Sequence, residues 1–142
     1  MLAGRSLEPS ETAEGAVVVV PPVPDPEPRT PSGKRGFEGL DFTDYVHCAD
    51  DLPGSFDLVV VDGRAREACL TRAADRLAPD GLVVVDNVDR ARYRTAIAEL
   101  ADRLTDRRGS RVEVTWTRGL TPSLPYPTRT ALLRVRPPVV AP

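Results

Sequence analysis

The chain has 142 residues, enough for one domain with a buried core. Its 41% hydrophobic and 28% charged residues are the mixture of an ordinary soluble globular protein. The net charge of −2 leaves no electrostatic footprint for nucleic acid or an acidic membrane surface, so neither is expected as a partner. Lys34 is the single lysine and His47 the single histidine, which narrows the groups able to act as bases. Residues 1–15 are polar and carry no apolar run of the kind a signal peptide needs. The expected compartment is the cytoplasm. Those residues read as a disordered leader.

Ala16 to Val20 is a β-branched run and reads as a short buried strand, stopped by Pro21 and Pro22. Six prolines between Pro21 and Pro31 exclude a helix or a central strand and imply an extended connection. Asp41 reads as the N-cap of a short helix carrying Phe42, Tyr45, Val46 and Ala49. Phe56 to Asp62 is a near-continuous apolar run, the pattern of a parallel strand buried on both faces.

Arg64 to Leu77 reads as a helix with Ala65, Ala68, Cys69, Ala73 and Leu77 on one stripe. Pro79-Asp80-Gly81 breaks it before a second apolar strand, Leu82 to Asp86. Asp89 to Thr105 is amphipathic, with Tyr93, Ala96, Ile97, Leu100 and Leu104 facing inward. This order of elements implies a right-handed parallel βαβ unit. Arg111 to Thr117 alternates strictly, placing Val112, Val114 and Trp116 on the buried side. A strand at about Thr130 to Val135 should pair with it antiparallel at the sheet edge. Cys48 and Cys69 fit no metal-ligand spacing and read as buried, reduced thiols.

Two strands end in acids, at Asp62-Gly63 and at Asp86-Asn87. Ligands of open α/β sheets bind outside the carboxyl ends of the parallel strands. Neighbouring strand ends lie roughly 5 Å apart, so two carboxylates there repel unless a cation, a proton or a donor intervenes. Asp62, Asp86 and the amide oxygen of Asn87 therefore suit a hard cation such as Mg²⁺. Equally, Asp62, Asn87 and Asp89 precede helices and suit N-caps. Arg64, Arg66, Arg90 and Arg92 follow the acids. They either bind an anionic small-molecule substrate or neutralise the carboxylates.

The stretches Phe56-Asp57-Leu58-Val59-Val60-Val61-Asp62-Gly63-Arg64-Ala65-Arg66 and Leu77-Ala78-Pro79-Asp80-Gly81-Leu82-Val83-Val84-Val85-Asp86-Asn87 resemble strands four and five of class I S-adenosylmethionine-dependent methyltransferases. Gly36 to Val46 and Asp89 to Tyr93 resemble a bacterial subgroup acting on small molecules. The likeness covers residues 16 to 136, leaving 137–142 as a tail. It implies a Rossmann-like α/β sheet with helices on both faces and an antiparallel C-terminal edge pair. It also implies a small-molecule O-methyltransferase type of activity, with S-adenosylmethionine as cofactor and Asp62 among its contacts. In the catechol-type members, positions matching Asp62, Asp86 and Asn87 hold Mg²⁺.

The chain departs from the family pattern at the glycine-rich loop after strand one and the acid after strand two, neither of which has a counterpart. Where the catechol-type members place a lysine base after strand four, this chain has Gly63-Arg64-Ala65-Arg66, and Lys34 belongs to a different loop. A sheet truncated in this way is expected to be inactive alone or to be a non-catalytic interaction module. As an interaction module, its open edge would pair with a second copy or another chain. Residues 119–126 are expected to wall the site, or to serve only as a rigid edge connection.

Overall fold

The computed structural model describes residues 17–120 and 125–136. The leader expected over residues 1–15 and the tail over 137–142 lie outside the described residues. The elements are β1 (Val23–Pro24), β2 (Leu40–Asp41), α1 (Thr43–His47), β3 (Phe56–Val61), α2 (Arg66–Arg76), β4 (Leu77–Val85), α3 (Ala91–Arg108), β5 (Arg111–Leu120) and β6 (Pro127–Arg136).

The fold is mixed α/β, with a four-stranded sheet in the order β3-β4-β6-β5. β3 and β4 are parallel neighbours, with Val59 beside Val83 and Val61 beside Val85. Their register jumps from Phe56–Leu77 to Leu58–Leu82, so Ala78 to Gly81 bulge out of the ladder. That bulge accommodates the Pro79-Asp80-Gly81 turn without ending the strand. β5 and β6 pair antiparallel, as their alternation and short connection imply, and β6 is the inner strand that also pairs with β4.

Cross-strand neighbours share a face. One face presents Val59, Val61, Val83, Val85, Ala131 and Leu133 to α2 and α3, which pack against each other above it. Leu70, Leu77, Ile97, Leu104 and Leu133 are fully buried there. Each such side chain contributes roughly 1.5–3 kcal/mol of burial free energy. The opposite face, where helices were also expected, is covered by neither, because α2 and α3 both pack on the first. On it Leu58 and Val60 are 55% and 60% exposed. Both lie on β3, whose outer edge no strand pairs among the described residues.

Three expectations change. Val17 to Val20 form no strand, and Val17 and Val19 are more than four-fifths exposed. A β-branched run becomes a strand only beside a partner, and no described residue pairs with it. Trp116 lies on the helix-facing side yet is 44% exposed, because β5 is the edge strand and has neighbours on one side only. Cys48 is exposed at the end of the one-turn α1, whereas Cys69 is half-buried and its thiol is pushed up to about 11, mainly by burial.

The proline-rich segment folds back on itself instead of spanning a gap. β1 pairs with β2, and Asp41 is the knot. Its carboxylate accepts hydrogen bonds from the Thr43 hydroxyl (2.6 Å), the Thr43 amide (2.7 Å), the Arg29 amide (3.1 Å) and the Thr30 amide (3.3 Å). These donors, the Thr43 side chain foremost, hold the Asp41 carboxyl at about 2, below its ordinary 3.8. A depressed pKa stabilises the fold above the unfolded value, and that contribution is lost as pH falls from 3.8 towards 2. Urea denaturation over this acid range is expected to show the loss. In Asp41→Asn, stability is lower at neutral pH and this acid-dependent part of the slope is gone.

Candidate functional site

The carboxyl ends of β3 and β4 open into a crevice of about 460 Å³. Its lining comes from four separate stretches: Lys34 in the proline-rich segment, Asp62 to Arg66 after β3, Asn87 to Tyr93 after β4, and Tyr126 with Thr128 at the start of β6. The volume falls within the range of small-molecule pockets, about 300–1,000 Å³.

Arg66 organises the floor. It is the first residue of α2, and only 8% of it is exposed. Its guanidinium donates to the Gly63 carbonyl (3.2 Å), the Asn87 carbonyl (3.2 Å), the Asp62 carbonyl (3.4 Å) and the Asp62 carboxylate (3.2 Å). It also lies 5.4 Å from the centre of the Tyr93 ring. One side chain therefore ties the loop after β3 to the loop after β4 and to the first turn of α3. The planar fork of arginine suits this task, because its donors diverge in fixed directions.

Asp86 is engaged differently. One carboxylate oxygen accepts from the Thr130 hydroxyl at 2.5 Å, and the other accepts from the Asn87 side-chain amide at 2.6 Å. Asp62, by contrast, has a side chain 59% exposed to solvent. The three residues proposed from sequence as metal ligands follow β3 and β4, and each already has a side-chain partner, although Asp62 keeps most of its carboxylate open to solvent. Asp86 is satisfied by neutral donors, Asn87 presents its nitrogen to Asp86, and the cation beside Asp62 is a guanidinium. As arranged, this donor set does not fit a divalent ion. Among the described residues no three His, Cys, Asp or Glu side chains converge on a metal site.

Neither helix takes a side-chain N-cap from Asp62, Asn87 or Asp89. The cap of α2 is Ala65 and that of α3 is Arg90, each without a capping hydrogen bond. Asp89 instead accepts the Arg129 amide at 3.2 Å, holding β6 against the loop after β4. Among the described residues the non-glycine positions with positive φ are Ala65 (48°) and Asn87 (55°). Asparagine tolerates this region, whereas alanine pays about 1 kcal/mol or more for it. Both sit in the two loops that shape the crevice. Backbone strain gathered at one place is a common mark of a functional site.

Lys34 is the crevice residue that the sequence did not reveal. Though distant along the chain, it lines the crevice with Asp62 and Arg64. The segment is held there by Gly33, which packs so closely on the Arg92 guanidinium that a β-carbon would clash. Arg92 is itself fixed by Glu67 (3.1 Å) and the Tyr93 hydroxyl (2.9 Å). No local pattern around Lys34 carries this information, which resides in the return of the proline-rich segment onto the helices. His47, the other candidate base, lies outside the crevice lining and pairs with Asp50 at 2.6 Å. Of the loop over residues 119–126, Tyr126 lines the crevice, and residues 121–124 lie outside the described residues.

No family model matches the sequence, and no curated protein matches it. Solved structures do. The chain is similar to part of several methyltransferases. With the O-methyltransferase TomG of Streptomyces achromogenes, involved in tomaymycin synthesis and solved with S-adenosylmethionine, it shares 22% identity over 66% of this chain and 46% of that one, with a TM-score of 0.43. An O-methyltransferase of Bacillus cereus, solved with S-adenosylhomocysteine, matches 70% of this chain and 49% of its own, at 16% identity and a TM-score of 0.46. A precorrin-6y C5,15-methyltransferase of Geobacter metallireducens matches 63% and 48%, at 21% identity and a TM-score of 0.41. The chain thus spans about half the length of these solved proteins.

The position of Arg66 yields a direct expectation. Arg66→Lys retains the charge but cannot reach four acceptors on two loops, and is expected to destabilise the fold by about 2 kcal/mol or more. Equilibrium urea unfolding reads this. A change under about 0.5 kcal/mol, the size of an ordinary surface substitution, would reject the bridging role.

Proposed function

We propose that the chain is the substrate-facing part of an S-adenosylmethionine-dependent methyltransferase unit, of the small-molecule O-methyltransferase type. The observation that carries this reading is the crevice at the carboxyl ends of two parallel strands, built from the same Asp62-Gly63-Arg64-Ala65-Arg66 and Asp86-Asn87 motifs that resemble the family. That is where an open α/β sheet places its ligand.

The methyl donor would supply an electrophilic methyl group, and the chain would orient the acceptor. The described residues do not by themselves build a cradle for the donor. Gly63, the glycine that follows β3, faces the Tyr45 hydroxyl so closely that a β-carbon would collide with it, so its open side is already filled. Asp62 remains the exposed carboxylate able to contact the donor. The rest of the donor's contacts would come from another segment or a second chain.

Calorimetric titration of S-adenosylmethionine into the protein, shown to be folded by circular dichroism, tests this. Weak saturable binding that is lost in Asp62→Ala is expected. A folded chain that gives no heat at millimolar donor would remove the methyltransferase reading.

The open sheet favours a second reading, a non-catalytic interaction module. Leu58 and Val60 expose aliphatic surface beside the unpaired edge of β3, an arrangement that invites a strand from elsewhere. On this reading, light scattering gives a mass that rises with concentration, and Val60→Lys returns it to the monomer. A monomer across the whole concentration range would reject it.

A further inference from the structure

We propose that the crevice recognises a phosphate- or carboxylate-bearing small molecule through Lys34, Arg64 and Arg90. This deepens the substrate side of the reading above and rests on the crevice being the ligand pocket. Four cations and two carboxylates line it. Both carboxylates are engaged, Asp62 by Arg66 at 3.2 Å and Asp89 by the Arg129 amide at 3.2 Å. Arg66 in turn directs four donor contacts at three carbonyls and the Asp62 carboxylate. The remaining three cations form no ion pair among the described residues.

Two of them are held together. Lys34 and Arg64 both lie over the Phe37 ring, 5.9 Å and 4.8 Å from its centre. An aromatic face attracts each cation, but like charges gathered on one ring repel unless an anion sits between or beside them. Lys34 is kept there by the close packing of Gly33 on Arg92.

Arg90 opens α3, an 18-residue helix with no side-chain cap and no acid in its first turn. The positive end of that helix therefore adds to the three side chains, while Asp89, just before it, is held by the Arg129 amide. Charge-assisted hydrogen bonds from guanidinium and ammonium groups are the recognition chemistry of phosphate and carboxylate.

The test is an amide NMR titration at fixed ionic strength with no methyl donor present. One arm uses inorganic phosphate and the other citrate. Saturable shifts confined to Arg64, Arg90 and Ala91 are expected in at least one arm, and the tighter arm identifies the anion. Binding should weaken about ten-fold in the Lys34→Gln/Arg64→Gln double variant, and likewise in Arg90→Gln should the double variant fail to fold. It should be unchanged in Arg118→Gln on β5. Non-saturable shifts in both arms, or equal affinity in the folded crevice variants, would overturn the proposal. Because no methyl donor is added, failure here leaves the donor titration standing, and failure of that titration leaves this one standing.

Discussion

The buried guanidinium of Arg66 is the contact on which the shape of the crevice depends. Two parallel strands end side by side, and each delivers an acid and a loop carrying unpaired carbonyls. Arg66 satisfies three of those carbonyls and one carboxylate with a single planar group. Without a cation in that position the loops would have to separate or the carbonyls would be buried unpaired, which costs about 1–3 kcal/mol for each group. The left-handed turn at Ala65 is what aims Arg66 inward at the start of its helix. Local strain and the bridging contact therefore belong to one arrangement.

The same arrangement explains why the carboxylates lean away from metal chemistry. A strand-end pair of acids needs positive charge, and an ion or a side chain can supply it. Here the chain carries an arginine four residues after the first acid, close enough to fold back onto it. Thr130, from the antiparallel strand β6, then satisfies Asp86 from the other side. What remains positive is the rim: Lys34, Arg64 and Arg90 hold no anion among the described residues.

Much of the fold was legible because it is written in periodicity. The apolar runs ending at Asp62 and Asp86 become adjacent parallel strands, and the stripe through Tyr93, Ile97, Leu100 and Leu104 is the buried side of α3. Local pattern failed where the outcome depends on a neighbour. Val17 to Val20 has the composition of a strand, but pairing decides strands, and no described strand lies beside it. Trp116 follows its alternation correctly and is still exposed, because alternation assigns a face and only tertiary packing decides whether that face is covered. At the site, the acids and arginines after each strand were readable, since topology brings the ends of parallel neighbours together. Lys34 was not, since its place depends on the tether knotted at Asp41 and the packing of Gly33 on Arg92.

The strand order has a consequence for how the chain comes together. β6 lies between β4 and β5, yet among the described strands it is made after both. Until it arrives, β4 lacks a partner on one side and β5 has none at all. During synthesis the nascent chain therefore presents the bare edge of Leu82 to Val85 while α2 and α3 are already available to pack. Productive folding waits on a long-range insertion, and such contacts close slowly. The interval in which strangers can occupy that edge ends only when Ala131 to Arg134 slide into register.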